Sequence, residues 1–192
     1  MVSDLIASEF TNLYPVYGGG DDLFVVGPWD HVLHFAAELR LRFRELSRGA
    51  LTFSAGIALA KPRQHILTKS EEAEQLLNEG AKLNRDSICA LGCTMPWNDF
   101  SRVLIGAKRM AGLAAAGQIK SAFLHDVMEL HEIWRRGDAR WHSRLFYQVQ
   151  RNLNGQAREF ITQELLSSGR LWPNASFLVR YTMLSTSAGE GN

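Results

Sequence analysis

The chain has 192 residues, of which 46% are hydrophobic, 10% aromatic and 21% charged, with a formal charge of +1. This composition excludes global disorder, and the near-zero charge predicts no strong attraction of the whole chain to nucleic acid or membranes. The longest apolar runs are well below the ~18 residues of a membrane-spanning helix, and the N-terminus does not resemble a secretory signal. The sequence therefore predicts a cytoplasmic protein with no membrane partner.

The near-zero net charge conceals two halves of opposite sign. Up to Pro96 the chain carries 9 basic and 12 acidic residues, and from Trp97 onward it carries 12 basic and 8 acidic residues. The composition changes at the same place, from β-branched runs bounded by glycine to a pattern that is helical nearly throughout. These changes predict two domains, residues 1–95 and 96–185, and a flexible polar tail over 186–192.

The first half predicts the order helix, β-hairpin, helix, strand, helix, strand. In chain order these elements cover residues 2–10, 12–17 with 23–27, 30–48, 51–60, 70–82 and 87–94. Asp30 and Ser70 are the expected N-caps of the second and third helices. The order predicts an α+β fold that forms the later part of a ferredoxin-like palm, without the opening β-α unit that supplies the central strand.

The second half predicts an all-α domain whose helices end at glycines. They cover residues 97–116, 121–136, 139–153, 155–168 and, more weakly, 174–185. Cys89 and Cys93 are expected to be buried free thiols, because four residues along a strand separate them too far for a disulfide.

A Gly/Asp cluster at residues 18–22 lies between the two strands of the predicted hairpin. At a turn, Asp21 and Asp22 can reach one ion, and paired carboxylates suit Mg²⁺ or Mn²⁺ together with substrate phosphates. Glycines beside them let a phosphate approach the backbone closely. Glycine and aspartate are also the commonest turn residues, so an ordinary turn is the alternative interpretation.

Residues 17–30, with the sequence YGGGDDLFVVGPWD, carry a family resemblance. They resemble the Gly-Gly-Asp-Asp palm motif of the large, polymerase-like subunit of type III CRISPR interference complexes, most of all the type III-A form. Three further stretches resemble that family in the same order, namely residues 53–57, residues 73–77 with 81–82, and Trp141 with residues 147–151. Diguanylate cyclases share the palm, but their motif continues Glu-Phe where this chain has Asp22 and Leu23.

The resemblance implies that ATP is joined into cyclic oligoadenylate messengers when the complex has bound a target RNA. It assigns Gly19 and Gly20 to the nucleotide-binding turn. It assigns Asp21 and Asp22 to catalysis and to two Mg²⁺ or Mn²⁺ ions, with one carboxylate helping to activate the 3′-hydroxyl. The implied partners are the other subunits of a type III CRISPR complex and, through them, guide RNA and target RNA.

Two more positions carry an implied nucleotide contact. Lys82 matches a lysine that meets the triphosphate in related cyclase palms, and a solvated lysine at a helix end is its alternative. Ser54 is expected either to contact nucleotide or to be a small residue packed on a strand.

The palms of this family begin with a strand that bears another metal-binding aspartate, and this strand is missing from the predicted elements. The isolated chain is therefore expected to hold metal weakly and to be inactive alone. Two other functions stay open at this stage. One is an inert assembly module whose helical half docks a small helical neighbour, and the other is a relative of the diguanylate cyclases that prefers GTP.

Three features of the helical half are weighed against simpler interpretations. His125 with Glu129 and Glu132 lies at helical spacing that suits a metal, but a solvated polar face is expected. Four tryptophans are expected to anchor the core rather than to stack on bases, namely Trp97, Trp134, Trp141 and Trp172. A run of arginines at near-helical spacing could contact an RNA backbone or a partner subunit, and a solvated or salt-bridged surface is the alternative. The run comprises Arg135, Arg136, Arg140, Arg144, Arg151 and Arg158.

Overall fold

The computed structural model describes residues 2–189, which form two compact units. One unit comprises the chain up to Ala90 together with Thr94–Trp97, and the other comprises Leu91–Cys93 and the chain from Asn98 onward. The first unit is α+β and the second is helical, as predicted from the sequence. None of the helices within residues 2–189 combines the length and the apolar character needed to cross a membrane.

The first half of the chain contains four helices and five strands within the described residues. In chain order they are α1 (Val2–Glu9), β1 (Tyr14–Gly19), β2 (Asp22–Val26), α2 (Trp29–Leu46), β3 (Ala55–Ile57), α3 (Ile66–Gln75), α4 (Lys82–Asn84), β4 (Ser87–Ala90) and β5 (Cys93–Pro96). A π-helical turn, Leu76–Ala81, joins α3 directly to α4.

The second half is built from helices. They are α5 (Trp97–Ala115), α6 (Ser121–Arg135), α7 (Arg140–Asn152), α8 (Gly155–Ile161) and α9 (Ala175–Gly189). A π-helical turn, Thr162–Ser167, follows α8, and a short 3₁₀ helix, Trp172–Asn174, precedes α9.

The core of the first unit lies against α2. This helix repeats apolar residues at three- and four-residue spacing, which gives it one apolar face. Its buried side chains join those of α1 and the following loop in a cluster of Leu5, Ile6, Leu13, Phe35 and Leu39. Val25 of β2 and Phe53, two residues before β3, both pack against this cluster. Helix α2 therefore supports both the hairpin and the start of β3.

The strands form two separate sheets. Strands β1 and β2 pair antiparallel, and the second sheet has the order β3-β4-β5, with β3 parallel to β4. Within residues 2–189, β2 pairs with β1 alone and β3 pairs with β4 alone. The outer edges of β2 and β3 therefore carry backbone N–H and C=O groups that form no hydrogen bond to another strand within residues 2–189.

Strand β3 lies unusually close to the helix that follows it. A Cβ placed on Gly56 would lie 2.3 Å from the Ala73 carbonyl oxygen and 2.5 Å from the Leu77 amide nitrogen. These atoms are backbone atoms and cannot move aside as a side chain would. Gly56 is therefore required where α3 passes into the π-helical turn, because only glycine lets the two backbones approach this closely.

The core of the second unit is aromatic. The rings of Phe100 and Phe177 meet edge to face with centroids 6.0 Å apart, and Trp141 stacks on Trp172 with centroids 4.4 Å apart. Such pairs add to the stabilisation that burial provides. The residues at or near zero exposure also include Val103, Ala107, Met110, Val127, Leu145, Val149, Phe160 and Leu178.

Three predicted element boundaries were wrong. The strand expected over 51–60 is reduced to Ala55–Ile57, because Phe53 turns into the core and Ser54 bonds to the helix end. Ser70 is not an N-cap, since α3 begins at Ile66 and the Ser70 hydroxyl donates to the Leu67 carbonyl inside the helix. Asp30 is also not a cap, because it lies in the first turn of α2 and Pro28 takes the cap position.

The last predicted strand and the predicted tail also differ from the structure. Residues 87–94 do not form one strand, because Leu91 and Gly92 adopt positive φ and turn the chain back into β5. Helix α9 continues to Gly189, so residues 186–189 are helical, and the rest of the predicted tail lies outside the described residues. Cys89 and Cys93 are thiols rather than a disulfide, as predicted, but only Cys89 is buried, whereas Cys93 is half-buried with its sulfur 3.0 Å from the Ser176 hydroxyl.

Candidate functional site

The Gly/Asp cluster forms the tip of the β1-β2 hairpin. Gly19 pairs with Asp22, which leaves Gly20 and Asp21 as a two-residue turn. Gly20 has a φ of +62°, whereas Asp21 is not among the residues with positive φ. A two-residue hairpin whose first central residue alone has positive φ is typical of a type II′ turn, which favours glycine at that position. The turn chemistry therefore explains Gly20 and leaves Asp21 at the tip.

Gly19 has a different reason for being glycine. A Cβ at this position would lie 3.0 Å from the hydroxyl oxygen of Tyr17, because the Tyr17 ring lies over the Gly19 backbone. At Gly20, in contrast, an added Cβ would meet nothing within 4 Å. The space beside the tip is thus open at Gly20 and filled by an aromatic ring at Gly19.

Asp22 lies on the face of the hairpin that points away from the core. Side chains alternate along β2, so Asp22 and Phe24 share one face while Val25 lies on the other and packs against the cluster on α2. Tyr17 is directly opposite Phe24 and therefore lies on the same face as Asp22. Sequence reasoning missed this aromatic surface, although the alternation in β2 carries the signal for it.

A bulge in β1 brings a second tyrosine onto that face. Pro15 pairs with Val25 and Tyr17 pairs with Phe24, so Val16 is an extra residue that has no paired residue on β2. Tyr14, which is 70% exposed, pairs with Val26 and therefore shares the face of Tyr17. The exposed face of the hairpin presents Asp22 beside aromatic rings.

The two carboxylates at the tip fit a hard divalent cation. Asp21 and Asp22 are exposed, and neither makes a hydrogen bond or ion pair within the part of the chain that the structure describes. Carboxylate oxygens are the donors that Mg²⁺ prefers, and Mg²⁺ sites commonly use one or two carboxylates with waters and phosphates completing the shell. Residues 2–189 hold no group of three metal-binding side chains close enough to share an ion. The donor set therefore suits a site that substrate phosphates complete.

Ser54 and Lys82 are brought together at the other sheet of the same unit. The Ser54 hydroxyl donates to the Ala81 carbonyl at 3.3 Å, immediately before Lys82. Lys82 is exposed at the end of the π-helical turn. Neither residue makes a hydrogen bond or ion pair with Asp21 or Asp22 among residues 2–189. The predicted site residues thus form two groups, one at the hairpin tip and one at the helix end.

A strained turn follows this helix end. Arg85 and Asp86 have φ values of +48° and +44°, a backbone conformation that is costly for both side chains. Arg40 of α2, whose side chain is 11% exposed, forms an ion pair of 2.7 Å with Asp86. The Asp86 carbonyl also accepts the Trp97 amide at 3.2 Å. These contacts hold the turn, and no local sequence pattern predicts them.

The histidines of the helical unit have different environments. His125 is exposed, as expected for a residue on a solvated face. His131 is 3% exposed, and its Nε2 lies 3.2 Å from the Pro173 carbonyl oxygen. Burial lowers the pKa of His131, and the hydrogen bond to Pro173 only partly opposes this effect. His131 therefore belongs to the core in its neutral form.

The tryptophans mostly behave as core residues. Trp97 and Trp172 are buried, whereas Trp134 and Trp141 are half-buried. The Trp97 indole N–H donates to the Phe53 carbonyl at 2.8 Å, which ties the start of α5 to the segment before β3.

The arginine run is largely engaged within the chain. Arg135 pairs with Glu132 at 3.5 Å, and Arg140 forms a forked pair with Asp138 that lowers the pKa of this carboxyl group to about 2. Arg158 donates to the Leu153 and Gln150 carbonyls at 2.8 and 3.0 Å, where it closes the end of α7. Much of the run is thus a salt-bridged or capping surface.

Comparison with known families gives one match to a family model. The family described as Cas10/Cmr2, second palm domain, matches residues 2–89. The matched segment contains the hairpin, α2, β3, the π-helical turn and most of β4. It therefore includes the Gly/Asp tip together with Ser54 and Lys82.

Curated relatives carry the same family name. The chain is 34% identical over 121 residues to the CRISPR system single-strand-specific deoxyribonuclease Cas10/Csm1 (subtype III-A) of Mycobacterium tuberculosis, and this alignment covers 60% of the chain. It is 26% identical over 153 residues to the protein of that name from Thermococcus onnurineus, and this alignment covers 69% of the chain. It is 40% identical over 84 residues to the protein of that name from Enterococcus italicus, and this alignment covers 44% of the chain. These alignments span 15%, 19% and 10% of the respective relatives. Residues 2–89 thus correspond to the second palm domain of Cas10/Cmr2, and the chain is similar to a part of the Cas10/Csm1 proteins of subtype III-A.

Proposed function

We propose that this chain supplies the second palm of a type III CRISPR effector subunit, which joins ATP into cyclic oligoadenylate when the complex has bound a target RNA. Guide RNA, target RNA and the other subunits of the complex are the partners in this proposal. The observation that carries it is the pair of exposed carboxylates at the hairpin tip, without cation partners in the described residues, within a matched palm segment.

In this proposal the tip binds the charged part of the nucleotide. Asp21 and Asp22 hold two Mg²⁺ or Mn²⁺ ions, which neutralise triphosphate charge and lower the pKa of the attacking 3′-hydroxyl when bound. One of the two carboxylates also accepts a hydrogen bond from that hydroxyl. Gly20 leaves the backbone side of the turn open for a phosphate, since a Cβ there would face empty space.

The second group of residues has a supporting role. Lys82 directs a flexible ammonium group into solvent from the helix end, where it can reach a triphosphate. Ser54 acts by positioning, because its hydroxyl proton is donated to the Ala81 carbonyl next to Lys82.

The test is made in the complete type III effector that contains this chain. The double variant Asp21→Asn/Asp22→Asn keeps the shape of the tip and removes both charges. We expect ATP oligomerisation to fall by at least about 100-fold, as when preorganised charge stabilisation is removed from a reaction centre. Glu74→Gln is the matched control, since it removes one exposed carboxylate on α3, away from the tip.

Nucleotide binding by the 192-residue chain distinguishes a catalytic part from an inert module. Isothermal titration with ATP and Mn²⁺ is expected to give heat that the double variant loses and that Glu74→Gln retains. Unchanged oligoadenylate formation in the variant effector would contradict the catalytic role of the tip. Equal heats for the chain and its double variant would favour the assembly module.

A further inference from the structure

Helix α7 presents a stripe of basic and aromatic side chains to solvent. Arg140, Arg144, Tyr147 and Arg151 follow one another at spacings of four, three and four residues, which places them on one face of the helix. All four are exposed, and Tyr147 is 58% exposed. Helix α7 contains no aspartate or glutamate. The stripe extends over about 16 Å at the rise of an α-helix.

The members of the stripe differ in how they are engaged. Arg140 is paired with Asp138, and Arg151 donates to the Tyr147 hydroxyl at a long 3.5 Å. Arg144 has no hydrogen bond or ion pair within residues 2–189. Within residues 2–189 the stripe therefore has one guanidinium outside any hydrogen bond or ion pair, whose charge acts on Asp138 at longer range, and a second that is weakly held beside an exposed aromatic ring.

A depression opens beside the stripe, between α6 and α7. It has a volume of about 390 Å³, and one wall is formed by Tyr147, Leu130 and Arg144. The remaining lining is polar and consists of Asp126, Glu129, Ser143 and Gln148. The depression thus combines an aromatic and aliphatic wall with hydrogen-bond acceptors and a cation at its rim.

We propose that this face of the helical unit binds a short segment of single-stranded RNA, with an unpaired base in the depression. The base stacks on Tyr147, and Arg144 and Arg151 contact the flanking phosphates. The carboxylates of Asp126 and Glu129 accept hydrogen bonds from the exocyclic amino group of the base, as acidic side chains do with the cytosine amino group. This proposal is independent of the function assigned to the hairpin tip.

The engagement of the polar lining favours RNA over DNA. The Ser143 hydroxyl donates to the Arg140 carbonyl at 3.2 Å, so its oxygen is left to accept. The Gln148 carbonyl oxygen accepts from Asn152 at 2.6 Å, so its amide N–H groups are left to donate. A ribose 2′-hydroxyl both donates and accepts, and it can satisfy these two groups together.

A single strand fits this face better than a duplex or a protein helix. Stacking on Tyr147 requires a base whose face is not covered by a neighbour, which a duplex does not offer. Helix α7 carries no carboxylate, so the guanidinium groups of its stripe complement the phosphates of a strand that stacks a base on the adjacent ring.

The test uses the 192-residue chain and a fluorescent 15-nucleotide cytidine RNA in an anisotropy titration. We expect Tyr147→Ala to weaken binding about tenfold, the order of one lost base stack, and Tyr147→Phe to retain it. The double variant Arg144→Gln/Arg151→Gln is expected to weaken binding at least about tenfold and to reduce the slope of log affinity against log salt by about 1.4, at about 0.7 for each phosphate contact on a single strand. Arg170→Gln, an exposed arginine outside α7, is the matched control and is expected to bind like the unaltered chain.

The lining of the depression is tested through base preference. Cytidine RNA is expected to bind about fivefold more tightly than uridine RNA, because cytosine has the amino group that the carboxylates accept. Asp126→Asn/Glu129→Gln should raise the affinity for both RNAs by removing negative charge, yet reduce the ratio between them. Deoxycytidine DNA should bind more weakly than the RNA of the same sequence.

Several results would overturn the proposal. They are equal RNA binding by Tyr147→Ala and the unaltered chain, an equal loss in Arg170→Gln, and equal affinity for RNA and DNA. Circular dichroism on each variant verifies that its helices are intact. Absence of RNA binding, with self-association that Tyr147→Ala abolishes, would instead identify the face as a protein interface.

Discussion

The two units differ in where they place their aromatic side chains. In the first unit, called the palm unit from here on, Tyr14 and Tyr17 are 70% and 58% exposed on the face that also carries Asp22. In the helical unit, Trp172 and Phe160 are 2% and 1% exposed. Buried aromatic area contributes strongly to stability, whereas exposed rings on a strand face are available to ligands. The rings buried in the helical core therefore contribute to packing, whereas the hairpin rings, like Tyr147 on α7, are available for contacts outside the chain.

Removing the largest of the buried side chains should produce the largest effect. Trp172 stacks on Trp141 and meets the His131 ring edge to face, so Trp172→Ala is expected to destabilise the helical unit by about 4 kcal/mol. Hydrogen exchange should show lost protection in α6 and α9. Trp172→Phe should cost less, because it also removes an indole N–H that is buried without a partner in the described residues. Equal loss of protection in β1 and β2 would contradict the assignment of this residue to the helical unit.

The palm unit has its own most sensitive position, at Gly56. The Cβ introduced by Gly56→Ala would meet backbone atoms at 2.3 and 2.5 Å, so we expect a loss of about 3 kcal/mol from the resulting backbone shift. Gly112→Ala in α5 is the control, since an added Cβ there meets nothing within 4 Å. It should stabilise the protein by about 0.5–1 kcal/mol through helix propensity. Urea titration of both variants checks the difference, and similar midpoints would refute the close approach at β3.

The pH dependence of stability should come in part from His131 and thus from the helical unit. Burial lowers the folded pKa of His131, Arg135 lowers it further, and the Pro173 carbonyl and Glu132 raise it. The unfolded chain therefore takes up the proton first as the pH falls below about 6.5, and stability declines from there. The decline contributed by this one group is at most about 1.4 kcal/mol per pH unit.

Urea titrations between pH 7.5 and pH 5.5 measure this dependence. His131→Gln should reduce the slope of the free energy of unfolding against pH by up to the contribution of one bound proton. His125→Gln, at an exposed position on the same helix, should leave this slope unchanged. An identical decline in both variants would show that other groups are responsible.

The smallest expected effect concerns Ser54 in the palm unit. Ser54→Ala removes one hydrogen bond to the Ala81 carbonyl, so a loss of about 1 kcal/mol in stability is expected. ATP affinity, measured with Mn²⁺ by calorimetry, should then change only modestly, whereas Lys82→Ala should weaken it more. A strong loss of ATP binding in Ser54→Ala with unchanged stability would make Ser54 a direct nucleotide contact.

The sequence predicted the features that depend on neighbouring residues. The hairpin, α2 and the helical half follow from local turn residues and apolar periodicity, and the family resemblance at residues 17–30 led to the palm. The N-cap at Ser70 was wrong because local capping preference does not reveal that Ile66 already starts the helix. The shortened β3 follows from long-range contacts, since Phe53 packs into the α2 cluster and Ser54 bonds across 27 residues to Ala81.

The candidate site was predicted in part for similar reasons. Asp21, Asp22, Gly19 and Gly20 lie together at one turn because they are adjacent in sequence, so motif reasoning was sufficient to group them. The Tyr17 ring over Gly19 depends on the register of two strands, and the Arg40–Asp86 pair joins positions 46 residues apart. Neither contact has a local sequence pattern, because each arises from tertiary packing.

The unpaired Val16 in β1 has a consequence for how this protein tolerates insertions and deletions. Residues three apart on a regular strand face opposite sides, and only the extra residue lets Tyr14 and Tyr17 lie on the same side. Deleting Val16 would leave Tyr14 two residues before Tyr17, so regular alternation would keep both rings on the exposed face and the pairings with β2 unchanged. Loss of one codon at the bulge would therefore keep the distribution of β1 side chains between the core and the exposed face, whereas loss of one codon inside β2, which has no extra residue, would reverse the faces on one side of the deletion.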